Sequence, residues 1–354
     1  GEERVVHVNL PPNYALSRHR YPVTYLLDGH VRQFFDVTVA SAAYDLGSDG
    51  FAIPQQIVVG VDHPDRGQDL GKNQVAFTKF LVEELVPFID REFRTTPYRT
   101  LIGHSLGGRF ALMTFCRAPG VFPAVIAISA AGGDSASASS VDQCLTSAFA
   151  SRDTTLRQLV LSAGENESRL LGGMKRVTAL LTASAPKHWR WTVIDGPGLG
   201  HSETPLATIP PGIHFIYDAS IWEMPRARAD SIAVAPASDI ESLVAGFYTQ
   251  LSARVGSTVA PSLKWMLAVA RRQVRGGTAE SAEAAVRRVV DEYPEDLEAY
   301  GMLSELAMRR GDRPAARRAL VDARRMLDKL DIHDVYEHER KRKILDDMLA
   351  ALGS

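Results

Sequence analysis

Leu101-Ile102-Gly103-His104-Ser105-Leu106-Gly107-Gly108 decides how the rest of this 354-residue chain is read. Tyr98-Arg99-Thr100-Leu101-Ile102 leads into it with the character of a buried strand's end, and Arg109-Phe110-Ala111-Leu112-Met113-Thr114-Phe115 leaves it as a helix. Gly-x-Ser-x-Gly between a strand and a helix is the pattern of a nucleophile elbow. Such a turn holds its middle residue at strained backbone angles with the side chain exposed, and glycines beside it carry no Cβ to clash. The same five residues also occur by chance as a tight turn with a solvated serine; the flanking strand and helix favour the elbow. Ser105 is the candidate nucleophile. Leu106 opens the helix, so its N–H has no intrahelical partner and points toward whatever Ser105 attacks.

Working outward, strands and helices alternate. Val6, Val8 and Leu10 alternate with polar residues, as in a half-buried edge strand. Tyr21-Pro22-Val23-Thr24-Tyr25-Leu26-Leu27 is a continuous run, as in a strand covered on both faces, and stops at Asp28-Gly29-His30. Residues 33–46 read as a helix, Gln56-Ile57-Val58-Val59-Gly60-Val61 as a strand, and residues 62–70 as a polar loop. Phe77, Phe80, Leu81, Leu85 and Ile89 recur at helical spacing. Beyond the elbow, Ala124-Val125-Ile126-Ala127-Ile128-Ser129 is a strand and residues 130–140 a Gly/Ser/Ala loop. Leu159-Val160-Leu161-Ser162 and Trp189-Arg190-Trp191-Thr192-Val193-Ile194 are strands, with a helix through residues 174–181 between them. The order implies an α/β fold with a mostly parallel sheet and helices on both faces.

Active groups in such sheets gather at the carboxyl ends of strands. His201 follows the last strand, in Gly198-Leu199-Gly200-His201-Ser202, and Gly164-Glu165-Asn166-Glu167 follows the strand before it. Ser, acid, His is the chain order that accompanies this elbow. His201 would take the Ser105 proton and return it to the leaving alcohol, with a carboxylate holding the imidazole in the right tautomer. Glu167 is preferred as that acid, because a Gly-x-x-acid spacing carries its side chain past the turn; Glu165 is the reserve. The second oxyanion donor is expected to be the backbone N–H of His30, with Gly29 there to allow the turn. The His30 side chain is left either lining the pocket or exposed.

Tyr21 to Gly29, Val59-Gly60-Val61 with Asp65-Arg66 and Asp69-Leu70, and Gly103 to Gly108 resemble the esterase D-like, siderophore esterase-like family of α/β hydrolases over roughly residues 1–220. The resemblance implies a serine carboxylic-ester hydrolase that acts through an acyl-enzyme on siderophore-like, aryl or other small esters. An acyltransferase with the same triad is the alternative, as is an inactive hydrolase serving as a scaffold. Arg66 matches a loop near the family's pocket; it would bind an acidic substrate group or pair with Asp69. Relatives often carry aromatics where this chain has Ala130-Ala131-Gly132-Gly133-Asp134, and aspartate where it offers glutamate.

The hydrolase is expected to end near residue 220, with a linker over 221–238 and a helical domain over 239–354. Shifting the chain by 34 residues places Gly277 on Gly311, Ala285 on Ala319, Val286 on Leu320 and Val289 on Ala323. That is the tetratricopeptide period. About two such units are too few for a free-standing solenoid, so they are expected to pack on the hydrolase, on a second copy or on a protein partner. Arg340-Lys341-Arg342-Lys343 reads as a solvated helix face.

A net charge of −2 gives no electrostatic case for nucleic acid, and no apolar run is long enough for a membrane span. No cofactor motif or metal-ligand spacing is present. Cys116 reads as a buried apolar residue in the elbow helix and Cys144 as a loop residue, with a disulfide between them left open. No signal peptide is visible, but the first residues already read as a strand in progress, so the compartment is left open: soluble and cytoplasmic, or periplasmic or secreted if an N-terminal segment was removed.

Overall fold

The computed structural model describes residues 2–43, 53–130, 135–330, 332 and 335–353. The chain divides into two compact units. One comprises Gly1–Pro11, Arg20–Glu223 and Leu251–Thr258; the other comprises Pro12–His19, Met224–Gln250 and Val259–Ser354.

The first unit is built on a sheet of seven strands: β1 (Val6–Asn9), β2 (Tyr21–Leu27), β3 (Ile57–Val61), β4 (Thr95–His104), β5 (Ala124–Ile128), β6 (Arg157–Gly164) and β7 (Trp189–Gly196), in the order β1-β3-β2-β4-β5-β6-β7. β1 runs antiparallel to β3 at the edge and all other pairs are parallel. β2, β3, β5 and β6 are buried at every position, as expected of parallel strands with helices on both faces. The register sets Leu26 beside Ile102 and His104 beside Ile128, so the chain leaves β2, β4 and β5 at neighbouring points on the sheet's carboxyl edge.

Helices α1 (Arg32–Ala42), α2 (Gln74–Lys79), α3 (Val86–Glu92), α4 (Leu106–Arg117), α5 (Ser135–Phe149), α6 (Ser168–Ser184), α7 (Thr204–Ile216) and α8 (Ala219–Trp222) belong to this unit. Three expectations change. Residues 62–70 are not loop throughout, because a π-helical turn over Gln68–Lys72 leads into α2. The Ser-rich stretch is helical from Ser135, and Cys144 lies on that helix, where a disulfide joins it to Cys116 of α4. Serine and alanine fit a helix once its ends are anchored, and a Gly/Ser/Ala composition hides that. Residues 44–46 of the expected first helix and 131–134 of the expected loop lie outside the described residues.

The second unit is all helical. α9 (Arg226–Val234) and α10 (Ala237–Val255, whose last residues belong to the sheet unit) occupy much of the stretch that reads as a linker. Pro225 and Pro236 precede these helices, so prolines that interrupt the periodicity mark helix starts. α11 (Leu263–Gly276) and α12 (Ala279–Glu292) form one hairpin. α13 (Leu297–Arg309) and α14 (Arg313–Leu327) form a second, each helix beginning 34 residues after its counterpart. Thr278, Asp296 and Asp312 cap three of these helices by accepting from the N–H three residues on. Buried Ala282, Val286 and Val289 of α12 recur as Ala316, Leu320 and Ala323 of α14, and α15 (Val335–Ala351) adds Leu345 to the second core.

Candidate active site

Backbone builds the Ser105 turn. β4 ends at His104, Ser105 takes φ +58° and ψ −118°, and α4 starts at Leu106. Ser105 N donates to Ile128 O at 2.9 Å, holding the turn to the next strand. A Cβ on Gly103 would lie 2.2 Å from Gly107 O, and one on Gly108 would lie 2.4 Å from Ile128 O. Gly107 is less confined, its nearest neighbour being Asp28 Oδ2 at 3.3 Å. The steric demand therefore falls on Gly103 and Gly108, one residue beyond the motif. At N1 of its helix, Leu106 has no partner for its N–H among the described residues.

His201 sits in the turn between β7 and α7, and that turn is laced to the turn after β6. Glu165 N donates to Gly196 O at 2.8 Å, Asn166 N to Leu199 O at 3.1 Å, and Asn166 Nδ2 to Gly198 O at 3.0 Å. The two glutamates part company here. The exposed Glu165 accepts from Gly198 N at 2.7 Å. The buried Glu167 turns inward and its Oε1 pairs with His201 Nδ1. Its Oε2 accepts from Gly164 N at 2.5 Å, Ser129 Oγ at 2.8 Å and Thr204 Oγ1 at 3.3 Å. Burial alone would raise the Glu167 carboxyl; the hydrogen bonds from His201, Gly164 and Ser129 outweigh it and hold the pKa below its ordinary value, so the group is a carboxylate at neutral pH. With Nδ1 tied to a carboxylate, Nε2 is the free face of the imidazole.

His104 connects this pair to the elbow. Its ring lies against that of His201, centroids 4.3 Å apart, with Phe34 edge-on at 5.6 Å. Burial, and then repulsion from His201, push the His104 pKa down to about 4, so a neutral ring backs the histidine.

At the end of β2, Asp28 rather than Gly29 takes the left-handed angle, with φ +61°. Gly29 is required for a different reason from the one expected: a Cβ there would lie 2.5 Å from the carbonyl carbon of Gly60, and its N–H donates to Val61 O at 3.0 Å. The His30 N–H meets no backbone acceptor among the described residues. The His30 side chain is half exposed, with Nδ1 4.0 Å from Asp62. The expected Arg66–Asp69 pair does not form. Arg66 reaches Asp28 and the His104 carbonyl, while Asp69 pairs with Arg4 at 2.6 Å and His63 at 3.1 Å. Two buried carboxylates compete for the local cations, and Arg4, distant in sequence, takes Asp69.

Asp28, His104, Ser129 and Thr204 escape sequence reasoning. Asp28 and Ser129 do stand where a buried strand ends, the place where such groups gather, and in the structure each takes a positive φ, as Ser105 does.

The profile of the family described as Putative esterase matches residues 1–193. A 135-residue stretch is 32% identical to the uncharacterized protein YjcH of Bacillus subtilis, taking in 36% of this chain and 55% of YjcH, so the chain spans just over half the length of that relative. Among solved structures, an IroE-like serine hydrolase from Shewanella oneidensis is similar with a TM-score of 0.60 at 21% identity, over 81% of this chain and 94% of its own. The siderophore hydrolase EstA from Aspergillus nidulans is similar with a TM-score of 0.53 at 19% identity, over 61% and 90%.

Proposed function

The chain belongs to the Putative esterase family, and we propose that it is a carboxylic-ester hydrolase that works through a Ser105–His201–Glu167 triad and an acyl-enzyme. His201 Nε2 takes the Ser105 proton as Oγ attacks the ester carbonyl. The oxyanion is held by the N–H groups of Leu106 and His30. The imidazolium, paired with Glu167, gives its proton to the departing alcohol, and water then repeats the sequence on the acyl-enzyme. The hydrogen bond between His201 Nδ1 and Glu167 carries this reading, because it commits one face of the ring and the charge of one carboxylate. Ser105→Ala tests it. Hydrolysis should fall by about 10³-fold or more with the fold intact; retention of most activity would sink the assignment.

The substrates proposed are siderophore-like, aryl and other small esters, the first because a neighbour of the same fold is named a siderophore hydrolase. An acyltransferase would use the same groups, and product analysis with added acceptor alcohols separates the two. An inactive scaffold is disfavoured by the complete set of Ser105, His201 and Glu167. Every proposed catalytic group precedes residue 202, so residues 239–354 are assigned to stability or partner docking, including a second copy. The Cys116–Cys144 disulfide supports an oxidising compartment.

A further inference from the structure

We propose that Arg66 is a positioning residue that locks the two halves of the oxyanion site to each other, an inference that rests on reading Leu106 and His30 as the oxyanion donors. β3, β2 and β4 lie side by side in that order, and Arg66, Asp28 and His104 stand at or just beyond their carboxyl ends. The guanidinium crosses the end of β2 to reach β4. Its Nε donates to Asp28 Oδ1 at 2.6 Å, and its Nη2 donates both to Asp28 Oδ2 at 3.0 Å and to His104 O at 2.9 Å.

Each partner stands two residues ahead of a donor. Asp28 opens the turn that carries the His30 N–H, and the His104 carbonyl belongs to the peptide that enters Ser105, ahead of the Leu106 N–H. Both turns are left-handed at a non-glycine residue, Asp28 at φ +61° and Ser105 at φ +58°, conformations that persist only where surrounding structure enforces them. A planar fork fixes direction as well as distance, which a lysine ammonium cannot do. The Asp28 side chain is only 5% exposed and needs a cation, so it cannot leave Arg66 without cost. Oxyanion donors act most strongly when their separation is set before charge develops on the substrate.

The competing assignment has Arg66 bind an acidic substrate group. The two differ in kinetics: a strap acts on kcat for every ester, whereas a binding residue acts on KM for acidic esters alone.

The experiment measures kcat and KM for Arg66→Lys and Asp28→Asn in the full chain. One substrate is p-nitrophenyl butyrate and the other the p-nitrophenyl monoester of glutaric acid. It also measures inhibition by butylboronic acid, whose tetrahedral serine adduct occupies the oxyanion site. Arg66→Lys keeps a cation over Asp28, so it decides the matter even if Asp28→Asn fails to fold. The expected result is a fall in kcat of about 10- to 100-fold on both esters, with KM within about threefold. Boronate affinity should fall by the same factor, and the double variant should be no worse than the poorer single one. Wild-type kcat on the neutral ester with a KM rise confined to the acidic ester overturns the proposal, as does unchanged boronate affinity. Ser105→Ala separates the failures. If it still hydrolyses, the site reading falls and the strap with it; if it is dead while Arg66→Lys is fully active, the strap alone falls.

Discussion

The turn at Ser105 and the turn at Glu167 stand at the carboxyl edge of one sheet, yet main-chain packing shapes the first, whereas in the second hydroxyl side chains help to aim the functional carboxylate. At Ser105 the constraints are main-chain atoms: the Gly107 and Ile128 carbonyls that exclude a Cβ on Gly103 and Gly108, and the Ser105 N–H bonded to Ile128. At Glu167 the constraints are hydroxyls and one N–H converging on a carboxylate from Ser129, Thr204 and Gly164. A backbone-held turn leaves a compact sequence signature, because only glycine fits. The hydroxyl partners of a carboxylate leave none, because Thr204 and Ser129 lie 37 and 38 residues from Glu167 in sequence.

The largest expected difference is between the two glutamates. Glu167→Gln should lower kcat/KM on the order of 10³-fold, a few kcal/mol, since the imidazolium loses its counter-ion while the shape is kept. Glu165→Gln exchanges one exposed hydrogen-bond acceptor for another and should cost less than about 1 kcal/mol. If Glu165→Gln were the crippled variant, the inward turn of Glu167 would not be the functional one.

Gly103→Ala should come next. It forces the strand away from the helix that follows Ser105, and a displacement of about 1 Å costs about 100-fold in rate. Gly107→Ala, with its neighbours at 3.3 Å and beyond, should be milder. Kinetics on both variants, with thermal melts, would show whether the first motif glycine carries more of the elbow than the second.

Ser129→Ala should have a smaller effect than the loss of Glu167, about 1.5 kcal/mol in kcat/KM, the low end for one hydrogen bond to a charged group that keeps its others. Its signature should be a raised apparent pKa on the acid limb of the pH–rate profile. Glu167 sits below its ordinary value partly because Ser129 donates to it, so removing that donor raises the pH at which the carboxylate is lost. An unmoved acid limb would assign Ser129 to the fold alone.

The contrast also explains what could be read in advance. The parallel sheet, the elbow at Ser105, the histidine after the last strand and the 34-residue helical repeat all follow from periodicity or from glycines with a local steric duty. Glu167 could be preferred over Glu165 only by turn spacing, and the carboxylate's other partners were invisible. Asp28, His104 and Arg66 show the same limit from another side. Spacing alone offers Arg66 either an acidic substrate group or the nearby Asp69, whereas the fold gives Asp69 to Arg4 and brings Arg66 to Asp28. Sequence proximity carries little weight among ion pairs when three strand ends meet. The helical stretch around Pro225 was obscured for the opposite reason, since short helices separated by prolines offer too few turns for a period to show.

If Ser105 is the nucleophile, its Oγ becomes acylated during turnover. Rapid acid quenching of the enzyme with p-nitrophenyl butyrate, followed by intact-mass measurement and peptide mapping, tests it directly. The result predicted is a single butyryl addition on the peptide that contains Ser105, accumulating in Glu167→Gln if deacylation is slowed, and absent from Ser105→Ala. Hydrolysis with no acyl adduct at any time point, or an adduct on another residue that survives in Ser105→Ala, would rule out Ser105 as the nucleophile.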